Sequence, residues 1–268
     1  MSISILLTIS VFFSVARFPS CFSVDQQYEQ CLSPPICGSE VFPNNTTYPF
    51  WGNELGKPNF CGQKEFELSC KDNQILTLEI RNLKLRVVSV KPDDKSITVA
   101  DESLREGRCP QIMNFNGDDQ FTKTPTTETI DLFQCNGTHQ PISVSSRITC
   151  QHSNESWSTT YLVFGSSIPP RNCFKVGEIP MLRSAKDDLL HSNETLKMAL
   201  RKGFELRYTI EDKICLDCSS SSGICGSESE SGNFRCLCQD KPHNSSCSIN
   251  DDQGYVHFEK GIDFAQRL

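Results

Sequence analysis

Fifteen cysteines in 268 residues constrain this chain more than any other feature. Cytosolic proteins keep thiols reduced and seldom accumulate so many. The count therefore calls for an oxidising, extracellular setting in which bridges supplement a thin hydrophobic core. Two further features agree. The opening MSISILLTISVFFSVA is an apolar run too short to span a bilayer comfortably, and RFPSCFS after it reads as a cleavage region. Six N-x-[ST] sequons follow, at Asn44, Asn45, Asn136, Asn154, Asn193 and Asn244. Cleavage after Ser23 removes Cys21 and leaves 14 cysteines, an even set sufficient for seven bridges; cleavage after Ala16 leaves 15. Residues 1–23 are accordingly read as a signal peptide and the chain as secreted.

No later segment is apolar enough to cross a bilayer, because QILTLEI and LKLRVVSV are interrupted by charges. Without Arg17 the chain carries 25 basic against 33 acidic residues, a balance that disfavours nucleic acid and anionic membranes as partners.

The pattern divides the chain into two modules of small, disulfide-rich antiparallel β structure. The first, 31–110, holds Cys31, Cys37, Cys61, Cys70 and Cys109. Within it Leu76, Leu78 and Ile80 share one strand face, as do Leu83, Leu85 and Val87. The apolar phase slips at Arg81-Asn82, as a tight turn between paired strands requires. SITVA follows the turn KPDD as another strand, and EFELS precedes them. Residues 111–130 are polar and read as a linker or long loop. The second module, 131–247, holds Cys135, Cys150, Cys173 and the last six cysteines. LFQC, SRITC, TTYLVFG and NCFKVGEIPML are its expected strands. NETLKMALRKGF is its one expected helix, capped by Asn193 and stopped at Gly203, and GFELRYTI returns to strand alternation. Residues 248–268 form a polar tail.

Catalytic signatures are missing. The five histidines lie in polar, loop-like sequence, and no G-x-S-x-G, H-E-x-x-H or phosphate loop occurs. Adjacent acid pairs such as Asp93-Asp94 sit beside turn residues and read as solvated charges, not as the opposed carboxylates of a glycosidase. Cys215-x2-Cys218 and Cys236-x-Cys238 have spacings a zinc ion could use, but oxidised thiols are the better reading in a secreted chain. No metal, cofactor or enzymatic activity is expected. Two candidate binding groups remain. Tyr48, Phe50 and Trp51 could stack on sugar rings, although packing in a thin core is the heavier reading of them. Lys84 and Arg86 share a strand face and could meet carboxylates, although a solvated face is their ordinary role.

Three segments carry resemblances. CLDCSSSSGICGSESESGNFRCLCQDKPHNSSC, which ends in C-x-C-x8-C, is similar to an epidermal-growth-factor-like module despite its short first interval. That likeness implies the bridges Cys215–Cys225, Cys218–Cys236 and Cys238–Cys247. YPFWG...GKPNFCGQKEFELSC, with the strands up to SITVADES, resembles the galacturonan-binding domain of plant wall-associated receptor kinases. KGFELRYTI...CLDCSSSSGICGSESESGNFRCLC resembles the cysteine-rich C-terminal domain of the same receptors. The pair is most similar to the ectodomains of the leaf-rust-resistance-like group. Asn53 stands where the family has a second Gly, and Tyr208 where it has a Trp. The resemblance implies an ectodomain that binds cell-wall pectin (galacturonan) in the cell wall or apoplast, or at the plasma membrane surface within a full-length receptor. Those receptors continue into a membrane helix and a serine/threonine kinase, whereas SINDDQGYVHFEKGIDFAQRL here carries neither signature. A receptor ectodomain or secreted decoy that recognises a protein or peptide, with no glycan ligand, is the competing reading. Residues 31–110 hold ten Lys/Arg against eleven Asp/Glu, so a polyanion would need locally clustered cations.

Overall fold

The computed structural model describes residues 24–38, 40–41, 48–113, 115, 120–135, 147–151, 158–162, 173–191 and 193–247. The expected signal peptide, the sequons at Asn44, Asn45, Asn136 and Asn154, and the polar tail lie outside these residues.

The described chain is mainly β, as expected, and every strand pairing is antiparallel. A small ribbon of β1 (Ile36–Cys37) and β2 (Glu40–Val41) precedes the first sheet. That sheet comprises β3 (Leu68–Lys71), β4 (Ile75–Ile80), β5 (Leu83–Lys91), β6 (Ser96–Asp101) and β7 (Phe121–Lys123). A second sheet comprises β8 (Thr127–Cys135), β9 (Arg147–Gln151), β10 (Ser158–Leu162) and β11 (Cys173–Leu182), in the order β11-β8-β10-β9. The next strand, β12 (Phe204–Tyr208), leaves the second half of the chain and enters the first sheet between β6 and β7, completing the order β3-β4-β5-β6-β12-β7. A last hairpin joins β13 (Ile224–Ser227) to β14 (Phe234–Leu237).

Local sequence explains most of these elements. Ile80 pairs with Leu83 across Arg81-Asn82, both at positive φ (52° and 64°), the geometry of a two-residue turn that matches the strand twist. The phase slip in the sequence is this turn. On one face Leu68, Leu78 and Leu85 meet across three strands and are buried. They join Phe50, Phe66, Phe121, Phe204 and Tyr208 in the larger core. The second core packs Ile130, Leu132, Ile179 and Met181 of the second sheet against Ala185, Leu189, Leu196, Ala199 and Leu200 from helices Arg183–Leu190 and Leu196–Lys202.

Three expectations are corrected. The stretch 111–130, read as a linker or long loop, contains β7 and the opening of β8. The expected helix is present, but Thr195, not Asn193, caps it through Oγ1, which accepts from the Met198 amide at 3.3 Å. It also has company, in Gln26–Leu32, Arg183–Leu190 and Asp212–Ser220. Gly203 ends it at φ +81°, where a Cβ would lie 2.1 Å from the Val99 carbonyl oxygen, so the stop residue is also what lets the helix end lie against β6.

Disulfides link Cys31–Cys61 and Cys37–Cys70 within the first module, and Cys109–Cys150 joins the first module to the second. The terminal set is Cys215–Cys225, Cys218–Cys236 and Cys238–Cys247, the pairing the growth-factor-like resemblance implied. Cys173 is also disulfide-bonded and stands opposite Cys135 in the β8–β11 register. The cysteines grouped at Cys236, Cys238 and Cys247 are thus oxidised and offer no thiolate to zinc.

Candidate functional site

The aromatic stretch lies inside the molecule. Phe50 has no exposed surface and meets Phe66 and Tyr208 edge-on, with ring centroids 5.3 and 5.2 Å away. Trp51 is 7% exposed and packs with Cys31, Cys61 and Leu237. Its Nε1 donates to the Gln63 carbonyl at 2.7 Å, so the polar edge of the indole is satisfied as well. A Cβ on Gly62 would lie 2.2 Å from the Pro49 carbonyl oxygen, and only glycine lets the two segments come so close. Tyr48 is half-buried against Phe234, and its hydroxyl accepts from Gln63 Nε2 at 2.7 Å. Burial pushes that phenol up to about 12 despite the Gln63 bond, and the nearby Glu211 charge adds to the rise. Phe50 and Trp51 therefore present no open ring face to a sugar; their faces hold the first sheet and the terminal hairpin together.

The outer face of the same sheet is different. Alternation sends Ser69 on β3, Thr77 and Glu79 on β4, and Lys84 and Arg86 on β5 to the side opposite the core. Glu79 stands directly across from Lys84, and Thr77 across from Arg86. Lys64, Glu65 and Glu67 reach the same face from the turn Lys64–Phe66 and the residue after it, and Arg81 and Asn82 from the hairpin turn. Together they line an open groove of about 380 Å³. Thr77 is buried at its floor and donates to the Ser69 carbonyl at 3.3 Å. Such a surface can hydrogen-bond the hydroxyls of a sugar chain and pair cations with carboxylates.

The structure separates the two cations that the sequence put together. Lys84 is exposed in the groove. Arg86 Nη2 instead donates to the Arg201 carbonyl at 3.0 Å, in the last turn of helix Leu196–Lys202, where a cation favours the negative helix end. Lys64 and Arg81, which the sequence reading passed over, take the place of Arg86 beside Lys84. The period-2 alternation through Thr77 and Glu79 already marked the face; only the approach of the 64–67 segment was invisible to it. Of the expected glycan acceptors, Asn193 and Asn244 are described and both are exposed. Asn244 Oδ1 accepts from Arg235 Nη1.

Comparison with known proteins assigns both halves. Residues 31–101 match the family described as wall-associated receptor kinase galacturonan-binding, and residues 135–241 match wall-associated receptor kinase C-terminal. The groove lies within the first match. Curated relatives include three proteins of Arabidopsis thaliana. Leaf rust 10 disease-resistance locus receptor-like protein kinase-like 2.8 is 28% identical over 80% of this chain and 23% of its own length. The like 2.1 protein is 24% identical over 90% of this chain and 39% of its own. The like 1.2 protein is 26% identical over 89% and 37%. The chain therefore spans about a quarter to two-fifths of the length of these relatives. No solved structure matches it. Among the described residues no helix is long and apolar enough to cross a membrane.

Proposed function

From its possession of the two extracellular domains of wall-associated receptor kinases in tandem, we infer that this ectodomain binds galacturonan, the acidic polysaccharide of pectin, in the plant cell wall or apoplast. The observation that supports this most is the groove over β3–β5. It lies in the domain named for that ligand and offers Lys64, Arg81 and Lys84 beside the Ser69 and Thr77 segment. Galacturonan presents a carboxylate or its ester on each ring, with hydroxyls between. A cation with neighbouring polar groups is the matching surface. The aromatic stretch contributes by holding the sheet in place.

Isothermal titration of the secreted chain with galacturonan oligomers tests this reading. Lys64→Ala with Lys84→Ala should weaken binding about tenfold or more, the loss of two charge-assisted contacts, while the melting temperature stays near that of the parent. Unchanged affinity in a folded double variant would remove the groove from the reading. Failure to bind any galacturonan would favour a protein or peptide ligand.

A further inference from the structure

The groove is electrically balanced. Its cations Lys64, Arg81 and Lys84 are matched by the carboxylates Glu65, Glu67 and Glu79, and Glu79 faces Lys84 directly across the β4–β5 pair. Opposite charges placed so neutralise each other at the distance of a bound ligand, so the surface exerts little net pull on a polyanion. The whole 31–110 segment is balanced in the same way. A chain carrying a carboxylate on every ring would find a cation for some of them. It would set the others beside Glu67 or Glu79.

Resting on the galacturonan reading above, we propose that the groove selects partly methyl-esterified galacturonan over the fully de-esterified chain, with Glu67 and Glu79 as the discriminating residues. An ester keeps the acceptor oxygens of the carboxyl group but removes its charge. It can lie beside Glu67 or Glu79 without repulsion, while the remaining free carboxylates meet Lys84 and its neighbours. Specificity then comes from what the site repels as much as from what it attracts. One unfavourable pair of unit charges about 4 Å apart in water lowers affinity about fivefold.

The test titrates the full chain with oligomers of one length, either de-esterified or about half methyl-esterified, at low and high salt. The half-esterified oligomer should bind about fivefold more tightly, with an affinity nearly flat in salt. Glu67→Gln with Glu79→Gln should raise affinity for the de-esterified oligomer and make it salt-sensitive, while leaving the half-esterified one little changed. Lys84→Gln, which conserves an exposed polar side chain, should weaken both. Tighter, salt-sensitive binding of the de-esterified oligomer by the parent overturns the selectivity and leaves the galacturonan reading standing. Binding of neither oligomer overturns both.

Discussion

Two of the seams that hold the second half of this chain onto the first each bury an ionisable side chain, with opposite consequences. At one seam Glu205, on β12, is 7% exposed. It accepts from Thr126 Oγ1 at 2.6 Å, Lys91 Nζ at 2.9 Å, and Ser96 and Thr124 hydroxyls at 3.1 Å. At the other, beside the Trp51–Leu237 contact, Lys57 has no exposed surface and, among the described residues, donates to one acceptor, the Cys31 carbonyl at 2.8 Å. Burial alone would raise the Glu205 carboxyl, but four donors overcome it and hold the group at about 2. Burial alone governs Lys57 and pulls it down to about 8. A buried charge strengthens a seam only when enough partners surround it.

The largest expected effect lies at the second seam. Trp51→Ala removes a buried indole and its hydrogen bond, and should cost ~3–5 kcal/mol of a stability that for whole domains is only ~5–15 kcal/mol. Secretion yield and the melting temperature should both drop. A Trp51→Ala protein that melts like the parent would mean that the hairpin is held by other contacts.

Glu205 comes next. Its folded value, about 2, lies below the ordinary 4.5, so its contribution is fully present above pH 4.5 and is lost as pH falls towards 2. At 1.36 kcal/mol per pH unit that contribution is at most ~3 kcal/mol. Glu205→Gln should be destabilised by up to that amount at pH 7, and the gap from the parent should close between pH 4.5 and 2. A gap independent of pH would show that packing, not charge, sets the role of Glu205.

Lys57 should respond in the opposite sense. Its folded value of about 8 lies below 10.5, so the folded state resists protonation, and parent stability should rise with pH from about 8 to 10.5. Removing the charge relieves up to ~3 kcal/mol at pH 6, while the orphaned Cys31 carbonyl costs ~1–3 kcal/mol. Lys57→Met should therefore be more stable than the parent by up to ~2 kcal/mol at pH 6, and fall below it near pH 10.5. Denaturant midpoints of parent and variant across this range decide it, because other titrations affect both alike.

The two seams also mark what could be read from the sequence. Strand identity was legible, since Leu76-Leu78-Ile80 and Leu83-Leu85-Val87 alternate and Arg81-Asn82 breaks the phase. The terminal bridges are the ones that the growth-factor-like resemblance implied; cysteine spacing alone left their pairing open. Partnership was not. GFELRYTI announces a strand, but nothing in its alternation tells that Phe204 will pair with Val99 and Tyr208 with Phe121. Lys57 sits in a Gly-Pro-rich loop that reads as exposed, and its burial depends on Cys31, 26 residues earlier. The groove was half visible. Lys84 and its strand face followed from periodicity, whereas Lys64 arrives through a short turn with no pattern of its own.

Arg86 and Lys84 provide the smallest and most discriminating comparison, since they share one face of β5 and differ in what their side chains reach. Arg86 reaches the Arg201 carbonyl, 115 positions away, and ties β5 to the end of the Leu196–Lys202 helix. A partly exposed hydrogen bond of this kind, helped by the helix end, contributes ~1 kcal/mol, so Arg86→Ala should lower the urea midpoint slightly and leave galacturonan affinity unchanged. Lys84 lies exposed in the groove, and Lys84→Ala should keep the midpoint within about 0.5 kcal/mol of the parent while weakening the ligand. If Arg86→Ala loses binding without losing stability, the ligand extends past the groove along β5 towards the helix. If both variants lose stability and neither loses binding, the outer face of this sheet is structural and the ligand sits elsewhere.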